Sequence, residues 1–89
     1  MKAFVSVLGM DQKGIIKAVT TVLSDREINI LDINQTIVDG YFTMVMQVDL
    51  TDMTVELNAL KEALNAAGDQ LKLKIKVQHE AIFTAMHRI

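Results

Sequence analysis

Four stretches of the chain are typical of β-strands, and in three of them apolar and polar residues alternate with a period of two. The predicted strands cover residues 2–8, 28–39, 41–50 and 71–78. The third stretch gives the clearest pattern, since five apolar residues share one parity: Phe42, Met44, Met46, Val48 and Leu50. The first stretch is apolar at both parities, which is typical of a central strand, and we expect it to end at Gly9.

Two further stretches place apolar residues at the spacing of an amphipathic helix. The first predicted helix covers residues 14–26, and Asp11 is positioned to cap it or to place a carboxylate beside its first turn. The second helix is expected to begin after Asp52 or Thr54, either of which is a suitable cap. Gly68 is a typical C′ residue and predicts the end of this helix near residue 67.

The order of these elements is β-α-β-β-α-β, which predicts an α+β fold, the ferredoxin-like sandwich. In this fold a four-stranded antiparallel sheet carries two helices on one face. Asp39-Gly40 is the strongest hairpin signal, because tight hairpin turns need a positive φ. The strands at 29–38 and 71–78 then form the two edges. We expect a single domain over the whole chain, with its core at 1–78 and a C-terminal helical extension at 80–89.

The face of the predicted sheet away from the helices also carries apolar residues, namely Phe4, Leu8, Val38 and Val45. Soluble monomers rarely expose an apolar patch of this kind. The extension has an apolar stripe of its own, formed by Ile82, Phe83, Met86 and Ile89. We therefore predict that the extension covers the patch, in its own subunit or in a partner. Three lysines alternate along the last strand, where they discourage unwanted edge pairing: Lys72, Lys74 and Lys76.

Composition narrows the class of protein. The chain has 89 residues, a net charge of −2 and no cysteine. The acidic balance argues against a nucleic-acid surface, and the absence of cysteine excludes disulfides and thiolate metal sites. No stretch has the length and hydrophobicity of a membrane span or the pattern of a signal peptide, so we expect a soluble cytoplasmic protein. A small domain rich in aliphatic residues gains burial by pairing, which favours a homo-oligomer.

Several functional classes share this fold, and the fold alone does not choose among them. Metal-transporting members need a cysteine pair in the first loop, and RNA-binding members need exposed aromatic residues on a basic sheet. Acylphosphatase-like members need an arginine in the first loop, where this chain has Lys13. His79 and His87 are about 12 Å apart if helical, too far to share a metal ion. We find no pair of base and nucleophile, so we expect neither a metal nor a cofactor nor an enzymatic activity.

The loop Gly9-x-Asp11-x-x-Gly14-Ile15-Ile16, followed by Glu27-Ile28-Asn29-Ile30, resembles the ACT domain family. The resemblance covers residues 1–78 and is closest to the small stand-alone members. It extends to the ACT units of the glycine cleavage system transcriptional repressor and of formyltetrahydrofolate deformylase. The ending Ala81-Ile82-Phe83-x-Ala85-Met86 also looks like that of the stand-alone members. The resemblance implies a regulatory module that binds amino acids or other small ligands and dimerises with its sheets side by side.

The resemblance also implies a ligand site between subunits, shared by the first loop of one and the residues after the first helix of the other. Carried over by position, the ligand-binding residues are Asp11, Gly14, Ile15, Asn29, Ile30 and Leu31. The amides of Gly14 and Ile15 suit a carboxylate, because a helix start binds anions. Asp11 suits an ammonium group, and Asn29 offers both a donor and an acceptor.

Each of these residues also has a purely structural interpretation. Asp11 would cap the first helix, Gly14 would allow close packing of helix on sheet, and Asn29 would be a turn residue. Lys13 stands where many amino-acid-binding ACT domains have proline, which is consistent with a different ligand or with none. The leading hypothesis is therefore a regulatory homodimer that binds a small ligand, with an amino acid as the expected ligand. The alternative is a structural dimerisation module that has no ligand and docks on a partner protein.

Overall fold

A computed structural model describes residues 1–80 of the chain. Its elements are β1 (Lys2–Met10), α1 (Ile15–Ser24), β2 (Asn29–Val38), β3 (Tyr41–Asp49), α2 (Leu57–Leu71) and β4 (Lys74–His79). This order confirms the predicted ferredoxin-like βαββαβ fold. The predicted helix at 80–89 lies outside the described residues, apart from its first position.

The four strands form one antiparallel sheet in the order β2-β3-β1-β4. The two central strands are therefore β1 and β3, and the predicted edges, β2 and β4, are confirmed. The β2–β3 hairpin turns through Asp39 at φ 52° and Gly40 at φ 79°. Two consecutive positive φ values are those of a type I′ turn, which matches the twist of the strands that it joins.

The core lies between the helices and the face of the sheet that they cover. It contains alternate residues of the central strands, as their period of two predicted: Ala3, Val5, Val7, Phe42, Met44, Met46 and Val48. The helices contribute fully buried residues to the same core, namely Ile15, Val19, Leu23, Leu60 and Leu64. No polar side chain is buried among the described residues. Non-directional burial of aliphatic surface therefore stabilises this core.

The predicted caps of both helices are wrong. The N-cap residue of α1 is Gly14, at φ 88°. Since glycine has no side chain, this helix start has no side-chain cap. Asp11 lies outside the helix, where its backbone amide donates to the carbonyl oxygen of Gly40 (2.9 Å). Glu56 precedes α2 as its N-cap residue, in place of Asp52 or Thr54. The loops are held by backbone contacts with other elements, so capping by local side chains is not what sets these helix starts.

The second helix also ends later than predicted. Gly68 is buried inside α2, and Lys72, at φ 58°, takes the left-handed position that ends the helix. A Cβ at Gly68 would lie 2.8 Å from the carbonyl oxygen of Leu73, and one at Gly9 would lie 2.5 Å from the Leu73 side chain. Both glycines are therefore needed for the close approach of Leu73. Correspondingly, β1 does not end at Gly9 as predicted but continues to Met10, and β4 begins at Lys74 instead of residue 71.

Candidate functional site

The first half of the predicted site is the β1–α1 loop, which is held in place from two sides. The amide of Asp11 donates to Gly40 in the β2–β3 hairpin. On the other side, Gln12 Nε2 donates to the carbonyl oxygens of Leu71, at 2.8 Å, and Met10, at 3.2 Å. The Leu71 bond satisfies one of the free carbonyl groups at the end of α2. The role of Gln12 was not predicted, because it depends on a residue 59 positions away.

The start of α1 presents backbone amides that no local side chain caps. The first amides of any helix lack intrahelical acceptors, and the helix dipole gives this end a partial positive charge. Ile15 as a whole is only 2% exposed and belongs to the core, so its side chain does not take part in this half of the site. Asp11 and Gly14 are exposed beside it. This half of the site therefore combines uncapped amides with the exposed carboxylate of Asp11.

The second half lies where α1 ends and β2 begins. An open cavity of about 460 Å³ occurs there, lined by Thr20, Ser24, Glu27, Ile28, Asn29, Ile30 and Asp52. Two predicted residues, Asn29 and Ile30, line it directly. Leu31 does not line it and is 42% exposed on the edge strand.

Backbone hydrogen bonds shape this cavity. The amides of Glu27 and Ile28 donate back to Ser24 (3.1 Å) and Leu23 (3.0 Å), and Glu27 has φ 57°. The amide of Thr54 donates to the carbonyl oxygen of Arg26 (3.1 Å), which holds the β3–α2 connection against the end of α1. This packing accounts for the position of Asp52 on the cavity wall. Sequence reasoning missed five lining residues: Thr20, Ser24, Glu27, Ile28 and Asp52. Only Asp52 comes from a distant part of the chain, whereas the other four lie within nine positions of Asn29 and could have been found from their place at the end of the first predicted helix.

The lining of the cavity favours a cationic or hydroxylic group. It carries two carboxylates, Glu27 and Asp52, together with two hydroxyl groups and the Asn29 amide. The Thr20 hydroxyl already donates to the carbonyl oxygen of Ile16 (2.8 Å), so toward the cavity it can act as an acceptor. The two halves of the site thus have complementary chemistry, with amides that suit an anion at one and acceptors that suit an ammonium group at the other.

These two halves are far apart within one chain. The loop half is tied to the end of β2 through the hairpin at Gly40, whereas Asn29 is the first residue of β2. The shortest path between the two halves follows α1, whose ten residues rise about 15 Å, more than the length of one amino acid. A single chain therefore does not bring the predicted residues together. Two copies whose β2 edges run antiparallel would place the start of one strand beside the hairpin end of the other.

The β2 edge exposes apolar side chains, which a second strand could cover. Ile33 and Ile37 pair in register with the core residues Met46 and Phe42, so they lie on the helix side of the sheet. They are nevertheless 40% and 58% exposed. Ile16 of α1, on the same side, is 40% exposed as well. The helices thus leave Ile33 and Ile37 uncovered along the edge of β2, with the polar residue Gln35 between them.

A β-bulge separates the beginning of β2 from the rest of the strand. Ile30 pairs with Val48 and Asp32 pairs with Gln47, so Leu31 is an extra residue with no partner in β3. The Asp32 carboxylate accepts the amide of Ile33 (2.9 Å) directly after the bulge. Bulges bend a strand and increase its local twist. The bulge restores the parity of residues 33–37, which agrees with the alternation predicted for them.

Among residues 1–80, no group of three or more histidine or acidic side chains lies close enough to hold a metal ion. Within the same range, no helix is both long and apolar enough to cross a membrane.

Comparison with known proteins places this architecture in a family. The ACT domain family model matches residues 3–78. A UPF0237 protein of Listeria innocua is 44% identical over 89 residues, the full length of both chains. The structure of an ACT domain protein from Streptococcus pneumoniae is 39% identical and superposes with a TM-score of 0.81 over 98% of each chain.

A more distant structure shares the fold alone. A putative glycine cleavage system transcriptional repressor is 19% identical, with a TM-score of 0.72 over 89% of this chain and 47% of that one. It confirms the predicted structural likeness to that protein. From the family match and its full-length relatives, the chain belongs to the ACT domain family.

Proposed function

We propose that this ACT domain is a regulatory module that binds a small ligand, an α-amino acid, as a homodimer and performs no reaction of its own. The observation that carries the proposal is the separation of the two half-sites, which lie at opposite ends of an uncovered edge strand. Antiparallel pairing of two β2 edges would assemble two equivalent pockets. Each pocket would take its loop half from one chain and its cavity half from the other.

The chemistry of the two halves fits the two charged groups of an amino acid. The carboxylate would accept hydrogen bonds from the uncapped amides at the start of α1. The ammonium group would lie between Asp11 of the same loop and the Asn29 carbonyl group of the other chain. Glu27 and Asp52 line the cavity beyond Asn29 and strengthen its preference for a cation. The side chain of the ligand would occupy the remaining volume.

Subunit complementation tests the shared pocket. Isothermal titration calorimetry with the twenty amino acids first identifies the ligand. Asp11→Ala and Asn29→Ala should each weaken its binding about tenfold or more, because a hydrogen bond to a charged group contributes about 1.5–3 kcal/mol. A 1:1 mixture of the two variants, refolded together, should recover about one quarter of the wild-type sites. Half of all dimers in the mixture would be heterodimers, and each heterodimer would have one intact pocket out of two.

Three outcomes separate the alternatives. Recovery of the expected sites supports a pocket shared between chains. No recovery, with both variants still dimeric, contradicts the shared pocket. If no amino acid gives a heat of binding to the wild-type dimer, the ligand proposal fails and the dimerisation module without a ligand is favoured.

A further inference from the structure

The sheet face away from the helices is only partly polar. We name it the open face. It carries apolar residues from three strands, and the register places them in neighbouring rows: Phe4, Leu8, Met10, Val38, Tyr41 and Val45. A shallow cavity of about 310 Å³ lies on this face, with Ser6, Leu8, Val45 and Lys74 in its lining. An antiparallel sheet with one solvated face is normally polar on that side. The open face therefore carries more apolar surface than a solvated sheet face needs, although polar residues such as Ser6, Thr43 and Lys76 lie among its apolar ones.

The chain turns toward this face as it leaves β4. Gln47 lies on the open face, directly opposite Phe4 in the register of β1 and β3. Its Nε2 donates to Oε1 of Glu80 (3.3 Å), the last residue that the structure describes. This bond directs residue 80 to the same side of the sheet as Gln47. Glu80 thus lies at one end of the open face.

The length and pattern of the following segment match the surface in front of it. Residues 81–89 would span about 13 Å as a helix, at 1.5 Å per residue. The path from Phe4 to Leu8 along β1 is four residues of strand, also about 13 Å. The sequence of the segment has apolar residues on one helical face, namely Ile82, Phe83, Met86 and Ile89, and Thr84 falls on the opposite face.

Burial along the open face decreases away from Glu80. Phe4, Val45 and Gln47, which lie near that end, are half-buried. Leu8, farther along, is 49% exposed, and Met10 and Tyr41 are exposed as well. An occupant that enters at Gln47 and runs toward Leu8 would extend an apolar contact that begins at Phe4.

We propose that residues 81–89 dock in cis, as a helix, across the open face of their own sheet. Phe83 and Met86 would contact the rows of Phe4 and Val45, and Ile89 would approach Leu8. The domain would then have three layers. The two helices α1 and α2 form the first layer, the sheet forms the second, and this segment forms the third. The contact does not involve the β2 edge or the proposed ligand pocket, so it holds whether or not a ligand binds.

Cross-linking tests the docking directly, because the chain has no native cysteine. The pair Val45→Cys and Met86→Cys, treated with a short bis-maleimide, should give mostly intrachain links at dilute protein concentration. The matched control pair Val45→Cys and Thr84→Cys should give at least fivefold fewer, because residue 84 would point away from the sheet. Mass spectrometry of the digested protein identifies the linked peptides. Equal yields from the two pairs would overturn the proposal, and mainly interchain links would show that the segment docks on a second copy instead.

A second pair of variants keeps the proposal testable if either cysteine pair folds poorly. Phe83→Asp should expose the open face and raise the fluorescence of a bound hydrophobic dye several-fold. Thr84→Asp, which adds the same charge one position away, should leave the fluorescence at the wild-type level. Hydrogen exchange of the folded chains should report faster exchange at residues 43–47 only in Phe83→Asp. Equal behaviour of the two variants contradicts the proposed docking.

Discussion

The two edge strands of the sheet, β2 and β4, carry opposite kinds of side chain. β4 has Lys74 and Lys76 on one parity, while Ile75 on the other parity is buried. β2 has no lysine or arginine in its ten residues, and it leaves Ile33 and Ile37 exposed on the side that the helices should cover. Both strands have one row of backbone amides and carbonyls that no other strand of residues 1–80 pairs with.

This difference shows which edge strand is protected from further pairing by residues of its own chain. At β4, the close contact between Gly68 and Leu73 brings α2 over the strand, and the lysines oppose further pairing. Along residues 33–38 of β2, neither a helix nor a charged side chain performs these tasks. Long, apolar and unprotected edges favour association with another strand. We therefore infer that β2 is the pairing edge of the proposed homodimer and that β4 is not.

The substitution Ile37→Lys should have the largest effect, because it gives β2 the protection that β4 already has. A lysine at this position would be desolvated by the second copy, and we expect the dissociation constant of the dimer to rise at least about 100-fold, equivalent to about 2.8 kcal/mol. Lys76→Glu is the matched control at the other edge and should leave the dimer unchanged. Sedimentation velocity over a concentration series measures both. An unchanged dissociation constant for Ile37→Lys would rule out pairing through β2.

A smaller effect is expected from Gly68→Ala, which tests the packing that finishes the β4 edge. The added Cβ would lie 2.8 Å from the Leu73 carbonyl oxygen, so backbone atoms must move. Overpacking of this kind costs about 1–3 kcal/mol, against a gain in helix propensity of up to about 1 kcal/mol. We expect a net loss of about 1–2 kcal/mol in urea unfolding. A more stable variant would show that this contact is not close in solution.

The smallest effect concerns Asp49, which pairs with Asn29 where β2 begins. The hydroxyl and amide of Thr51 donate to its carboxylate, and these bonds, with the nearby N-terminal ammonium group and Lys2, hold the pKa of Asp49 below its ordinary value. A lowered carboxylate pKa stabilises the folded chain above about pH 4, and this contribution is lost as the pH falls through the folded-state pKa. Thr51→Val should raise the pKa of Asp49 in an NMR titration. Thr43→Val is the matched control, because the Thr43 hydroxyl donates to the carbonyl oxygen of Thr36 and not to Asp49, and it should leave the pKa of Asp49 unchanged.

The sequence predicted the order and pairing of the elements because these depend on the periodicity of the chain. The alternation at 41–50 corresponds to a strand with one face fully in the core, and Asp39-Gly40 corresponds to the observed type I′ turn. The helix ends were predicted less well. Glu27 and Lys72 adopt left-handed conformations that glycine usually supplies, so no local signal marks them.

The candidate site could be predicted only in part, for a similar reason. The loop at Gly14 and the residues after α1 were visible as motifs, because each is a continuous segment. The cavity wall was not, since Asp52 reaches it through the hydrogen bond between Thr54 and Arg26. The bulge at Leu31 was also missed, because an extra residue in a strand is defined by its neighbour in the sheet.

The bulge at Leu31 divides β2 into two segments whose residues can be substituted independently. The residues before it, 29–30, belong to the cavity, and the residues after it, 32–38, carry the exposed apolar edge. If β2 paired with β3 without the extra residue, the side-chain orientation of residues 29–30 would determine that of residues 32–38, because side chains of a regular strand alternate strictly. With Leu31 between them, substitutions at the cavity would leave the register of the edge intact. The cavity residues and the edge residues of this strand are thus separable targets for substitution.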